Sequence, residues 1–236
     1  MAGGAVMNAA RGATPPPAAE PGALYPTVFA ASMPFGRCAA VDLATAATAD
    51  PTTLTALLHP SERALCAAMR GARLVEFVGG RIAARRARAG MPDADGPTLR
   101  GPGGMPMAAG CASLSLSHSR RYAVALARKD GPGSVGIDIE PLDADGDDTL
   151  LAERILSDAE CQADAAGEPI PLIRRLSLKE AAYKALYPSR GPVPLRALSV
   201  LRSKDGGFRL ATRGGEELGA AAVELDGHVL SLALRV

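Results

Sequence analysis

The chain has 236 residues, with 26 Lys+Arg against 25 Asp+Glu and a formal charge of +1. That balance excludes a protein built to coat a polyanion, although local basic patches stay open. There is no Trp and few Phe or Tyr, so Ala, Leu and Val must fill the interior, and no stretch approaches the roughly 20 apolar residues that span a bilayer.

Residues 1–23 are rich in Ala, Gly and Pro and lack the continuous apolar run of a signal peptide, so they read as a flexible tail. A strand is expected near GRCAAVDLA (36–44). HPSERALCAAM (59–69) reads as a helix with Pro60 in its first turn and Ser61 as N-cap. ARLVEFVGGRIAARRARAG (72–90) reads as a longer helix, Arg-rich on one side, ending at Gly90. The Gly/Pro-dense stretch 91–110 forbids long regular structure. CASLSLSHS, RYAVALARK and VGIDIE then form three strands with short links, an antiparallel meander. A helix near DDTLLAERIL (147–156) precedes a stronger one, PLIRRLSLKEAAYKALYP (171–188), stopped by Pro188. Four strands close the chain, in ALSVLRS, GFRLAT, AAVELD and HVLSLALRV. Helices followed by antiparallel strands, twice over, imply an α+β fold of two similar halves related by a pseudo-twofold, 24–132 and 133–236. The four cysteines, Cys38, Cys66, Cys111 and Cys161, are scattered singly, which argues against a zinc site or disulfide framework and for a reducing cytoplasm.

In VGIDIE the aliphatics Val135, Ile137 and Ile139 point one way, and Gly136, Asp138 and Glu140 the other. Two carboxylates on one face repel unless something positive lies between them. The same pattern also suits the solvated face of an edge strand, while Gly136 leaves backbone room for a ligand. On helix 171–188, Leu172, Leu176, Tyr183, Leu186 and Tyr187 form an apolar stripe with Glu180 and Lys184 along its edge. Lys179 falls inside the stripe, where an ammonium is costly unless paired. Glu180–Lys184 alone also reads as an exposed i,i+4 ion pair. Together with Asp138 and Glu140, Glu180 would complete an oxygen-rich site for a hard cation such as Mg²⁺. His118, closing its strand beside Ser117, reads more readily as a structural residue than as a functional one. Arg73 and Arg81 flank Gly79-Gly80 and suit a phosphate clamp; Arg86 and Arg88 read as a solvated basic face.

In this order, RLVEFVGGRIAARRA, GPGGMPMAAG, SLSLSHS, VGIDIE and LSLKEAAYKAL resemble the motifs of the 4′-phosphopantetheinyl transferases, of the monomeric, two-halved surfactin/enterobactin type. GIDIE followed by KEAxxK is the most specific pair. The resemblance implies transfer of phosphopantetheine from coenzyme A to a serine of apo acyl or peptidyl carrier proteins. It implies Mg²⁺, or Mn²⁺ in its place, held by Asp138, Glu140 and Glu180 at the interface of the halves. Lys184 would contact the pyrophosphate with Lys179 nearby, and Glu180 is the candidate general base. Ser117 and His118 would hold coenzyme A phosphates, while Arg73, Arg81 and Arg100 would clamp the 3′-phosphate and adenine end. No nucleic-acid or membrane partner is expected, and a cytoplasmic monomer suffices. The chain departs from the family at Leu176 and Met105-Pro106-Met107, where aromatics are usual. Two other readings stay open: a Mg²⁺-dependent phosphohydrolase using the same acids, and a non-catalytic carrier-docking module.

Overall fold

The computed structural model describes residues 24–143, 148–166 and 169–236; the tail expected over 1–23 lies outside them. The described chain divides into two compact units between Pro132 and Gly133.

The N-terminal unit runs β1 (Thr27–Met33), β2 (Gly36–Asp42), α1 (Pro51–Ala56), α2 (Pro60–Arg63), α3 (Gly71–Ala87), β3 (Leu99–Arg100), β4 (Pro106–Met107), β5 (Ser113–His118) and β6 (Tyr122–Arg128). An antiparallel sheet of order β1-β2-β6-β5 packs one face against α3. Ala39 and Val41 of β2 and Ala123, Ala125 and Ala127 of β6 form that core with Leu74, Val75, Phe77 and Val78 of the helix. Small strand residues let the helix come close, and Gly79 lets it come closer. A Cβ there would overlap Leu43 and lie 3.2 Å from Ala123 Cβ.

The N-terminal unit departs from expectation in two places. The helix at 59–69 breaks after α2, and its N-cap is His59 rather than Ser61. His59 Nδ1 accepts from Ser61 N at 3.2 Å, and Glu62 reaches back to accept from His59 N at 3.0 Å, a capping box. Nor are Arg86 and Arg88 a solvated face. Arg86 donates to Tyr25 O at 2.7 Å, and Arg88 is fully buried, donating to the carbonyls of Asp93 and Gly96. The two Arg88 bonds tie the following loop to the end of α3 and give the buried guanidinium its partners.

The C-terminal unit runs β7 (Ser134–Pro141), α4 (Asp148–Ile155), α5 (Asp158–Ala165), α6 (Leu172–Arg190), β8 (Leu198–Arg202), β9 (Phe208–Thr212), β10 (Glu217–Leu225) and β11 (His228–Arg235). The sheet order is β7-β11-β10-β9-β8. The meander expected of β5, β6 and β7 is therefore wrong at its third strand: β7 pairs along its length with β11. Asp226 and Gly227 join β10 to β11 with φ of 42° and 73°, the paired positive φ of a tight hairpin turn.

Helix α6 passes through Pro188 and ends at Gly191, whose φ is 68°. A proline in the last turn forfeits one hydrogen bond near an end that is already short of partners. Its core face is Leu178, Ala181, Ala182, Ala185 and Leu186; Leu172, Leu176, Tyr183 and Tyr187 of the expected stripe are only half-buried. The cause lies opposite, in β7. A Cβ on Gly136 would overlap the carbonyl oxygen of Ala181 and come within 2.9 Å of Ala185 N. Gly136 makes room for α6, not for a ligand. Among the described residues, no helix is long and apolar enough to cross a membrane.

Candidate active site

Apart from Lys179, the residues expected to carry the chemistry gather in two side-chain clusters, one in each unit. In the N-terminal unit, Arg73, Arg81, Arg100, Ser117 and His118 all line one cavity of about 400 Å³. Helix α3 presents Arg73, Glu76, Phe77, Gly80 and Arg81 to it, residues three, four, seven and eight apart and so on one face. The β3–β4 hairpin adds Arg100, and the end of β5 adds Ser117 and His118. A Cβ on Gly80 would meet nothing nearer than Leu116 at 4.0 Å, so the helix wall is open there.

The rim holds an acid that the sequence reading overlooked. Glu76 Oε2 lies 3.6 Å from both Arg73 Nη1 and His118 Nε2, and those two nitrogens are 3.3 Å apart. Its i,i+3 spacing from Arg73 was the available signal. Arg81 is only 6 % exposed and lies over the Phe77 ring at 4.2 Å. Burial lowers its pKa to about 10; Glu62 opposes the shift, and Arg100 and Arg73 add to it. Three guanidinium groups that oppose one another's charge around one cavity describe a site for an anion.

In the C-terminal unit, β7 supplies Asp138 and Glu140, and α6 supplies Glu180 and Lys184. Lys184 Nζ lies 2.7 Å from Asp138 Oδ1 and donates to Ile137 O at 3.0 Å. Asp138 is 3 % exposed. Burial, then Asp138, then Glu180 hold the Glu140 carboxyl up to about 7, against the pull of Lys184. Burial and then Asp138 also raise Glu180. The set thus carries more negative charge than its surroundings favour. All its donors are carboxylate oxygens, which suit a hard divalent cation completed by phosphate oxygens and water. Among the described residues, no three His, Cys, Asp or Glu side chains stand together as a formed metal cage. The carboxylates act on one another through space without enclosing a point.

Lys179 is not brought to this cluster, and its expected place near coenzyme A is corrected. Its ammonium is fully buried, donates to the Ile155 carbonyl, and pairs with Glu160 at 2.6 Å. Glu160 also accepts from Ser157 N at 2.7 Å and Val200 N at 3.0 Å. Lys179 therefore ties α6 to the start of α5 and to β8. An ammonium inside an apolar stripe needs a partner, and this is the partner.

The family model for the 4′-phosphopantetheinyl transferase superfamily matches residues 134–233. That for the 4′-phosphopantetheinyl transferase N-terminal domain matches residues 61–128. The 4′-phosphopantetheinyl transferase Svp of Streptomyces mobaraensis is 36% identical over 147 residues, 60% of this chain and 59% of that protein. The chain thus matches less than two thirds of that relative's length. Among solved structures, the holo-[acyl-carrier-protein] synthase of Thermotoga maritima gives a TM-score of 0.35 at 22% identity, covering 43% of this chain and 61% of that one. The Helicobacter pylori holo-[acyl-carrier-protein] synthase in complex with coenzyme A gives 0.31 at 16% identity, over 42% and 96%.

Proposed function

The chain belongs to the 4′-phosphopantetheinyl transferase superfamily, and on that premise we propose that it moves the 4′-phosphopantetheine arm of coenzyme A onto a serine of an apo carrier protein. The serine oxygen attacks the phosphorus that bears the pantetheine. The bond to the adenosine-side phosphate breaks, and adenosine 3′,5′-bisphosphate leaves. Arg73, Arg81 and Arg100 take the 3′-phosphate and nucleotide end, with Ser117 and His118 on the phosphates, because guanidinium forks match phosphate oxygens.

Asp138, Glu140 and Glu180 are the side chains that would hold Mg²⁺, or Mn²⁺ in its place, and the ion would supply neutralisation of diphosphate charge. Lys184 adds a fixed positive charge beside Asp138 for the leaving phosphate. Glu180, one turn before Lys184 on α6, accepts the serine proton. Burial and Asp138 raise its proton affinity, which suits a base working near neutral pH. A cytoplasmic monomer serving carriers of fatty-acid, polyketide or nonribosomal-peptide assembly completes the reading.

The observation that carries it is the acid cluster: Glu140 and Glu180 both held up by burial and by Asp138, with Lys184 2.7 Å from Asp138. The test is mass spectrometry after incubation with coenzyme A, Mg²⁺ and an apo carrier protein. A carrier heavier by one phosphopantetheine is the expected result. Free phosphopantetheine without a carrier would make the protein a phosphohydrolase, and no product in either case would leave it a docking module. Glu180→Gln should cut turnover by roughly 10²–10⁴ while adenosine 3′,5′-bisphosphate still binds. Undiminished turnover removes Glu180 from the role.

A further inference from the structure

We propose that Glu62, a residue outside the cavity, is the positioning residue that sets its arginines for a phosphate. Its carboxylate is fully buried and joins three segments. One oxygen accepts from His59 N at 3.0 Å; the other accepts from Thr98 N at 2.8 Å and lies 3.9 Å from Arg81 Nε. Thr98 directly precedes β3, so the same carboxylate that faces Arg81 also anchors the strand carrying Arg100. Arg81 Nε is buried and has no hydrogen-bond partner among the described residues. The carboxylate on that side of the guanidinium holds it in place against Arg73 and Arg100 and leaves its two amino groups for a ligand.

The C-terminal unit contains the same device doing something else. Glu160 is likewise the N3 acid of a capping box, fully buried, accepting from its own N-cap and from a distant backbone N–H, at Val200. The cation it meets, Lys179, follows at the same interval as Arg81 follows Glu62. But Lys179 is fully buried, whereas Arg81 lines a cavity. The shared part of the device is structural; only Glu62 holds a cation that opens on a binding site. Glu160 is therefore an internal control.

The inference rests on reading the cavity as the site of the nucleotide's phosphates, and the experiment separates the two. Calorimetric affinities for adenosine 3′,5′-bisphosphate and adenosine 5′-phosphate are compared in the wild type, Glu62→Gln and Glu160→Gln, with an unfolding temperature for each. The wild type should prefer the bisphosphate by roughly tenfold or more, the worth of one charge-assisted hydrogen bond. Glu62→Gln should lose most of that preference, and Glu160→Gln should keep it although its unfolding temperature falls. A folded Glu62→Gln that keeps the preference, or equal losses in both variants, overturns the positioning role. A wild type with no preference overturns the reading of the cavity, and this inference with it. If Glu62→Gln does not fold, the same measurements on Glu62→Asp, which withdraws the carboxylate by one methylene, decide the matter.

Discussion

Lys179 and Lys184 share helix α6 and do different work, because what faces each differs. Lys184 is partly exposed and faces Asp138; Lys179 is sealed against Glu160. Removing one partner of a buried pair leaves the other charge stranded, so Lys179→Met should cost about 3–5 kcal/mol of stability. That loss would read as a large fall in unfolding temperature with the KM for coenzyme A unmoved. Lys184→Met should do the reverse, cutting kcat by roughly 10²–10³, the range seen when one donor to a developing charge is deleted. A Lys179 variant with normal stability and a raised KM would restore it to the binding site. The sequence showed that Lys179 lay in an apolar stripe and needed a partner. It could not name Glu160, because nothing local distinguishes a capping-box acid that turns inward from one that stays in water.

At the scale of elements, glycines decide how closely helices approach sheets. Gly79 and Gly80 are adjacent on α3, yet a Cβ at Gly79 meets Leu43, Ala123 and Tyr25, while at Gly80 it meets only Leu116 at 4.0 Å. Gly80→Ala should therefore stabilise by about 1 kcal/mol through helix propensity alone. Gly79→Ala gains the same propensity but loses it to crowding of about 1–3 kcal/mol. Gly136→Ala has no such offset: the new methyl runs into α6 backbone that cannot rotate away. It should lower the unfolding temperature more than either α3 variant and disturb the Lys184–Asp138 contact with it. Thermal unfolding of the three variants checks the ranking, and a stable, fully active Gly136→Ala would refute the close packing of β7 on α6. The sequence marked Gly136 as a place of close approach. Only the tertiary structure shows that the approaching group is Ala181.

At the scale of the whole molecule, the two proposed ligands fall to different units, and linkage makes that measurable. Mg²⁺ should raise the unfolding temperature of the wild type but not of Asp138→Asn, which should still respond to adenosine 3′,5′-bisphosphate. Arg81→Gln should show the opposite pattern. A ligand present at about 100 times its Kd adds roughly 2.7 kcal/mol, enough to see. Identical responses in both variants would remove the assignment of metal and nucleotide to these residues. The α+β fold was legible from strand alternation, helical spacing and the Gly/Pro breaks, all of them local. One device present in both units was harder to see, since it lies in the buried acids Glu62 and Glu160 and the cation each meets rather than in runs of similar residues. Legible along the chain were the family it resembles, the order of its motifs, and which candidate side chains share a strand face or a helix face. It took the folded chain to show that β7 joins β11, that Gly136 yields to a helix, that Arg88 and Lys179 are buried, and that five scattered residues surround one cavity. Periodicity states which side chains point the same way; what stands opposite them depends on pairings between distant segments, which no local pattern encodes.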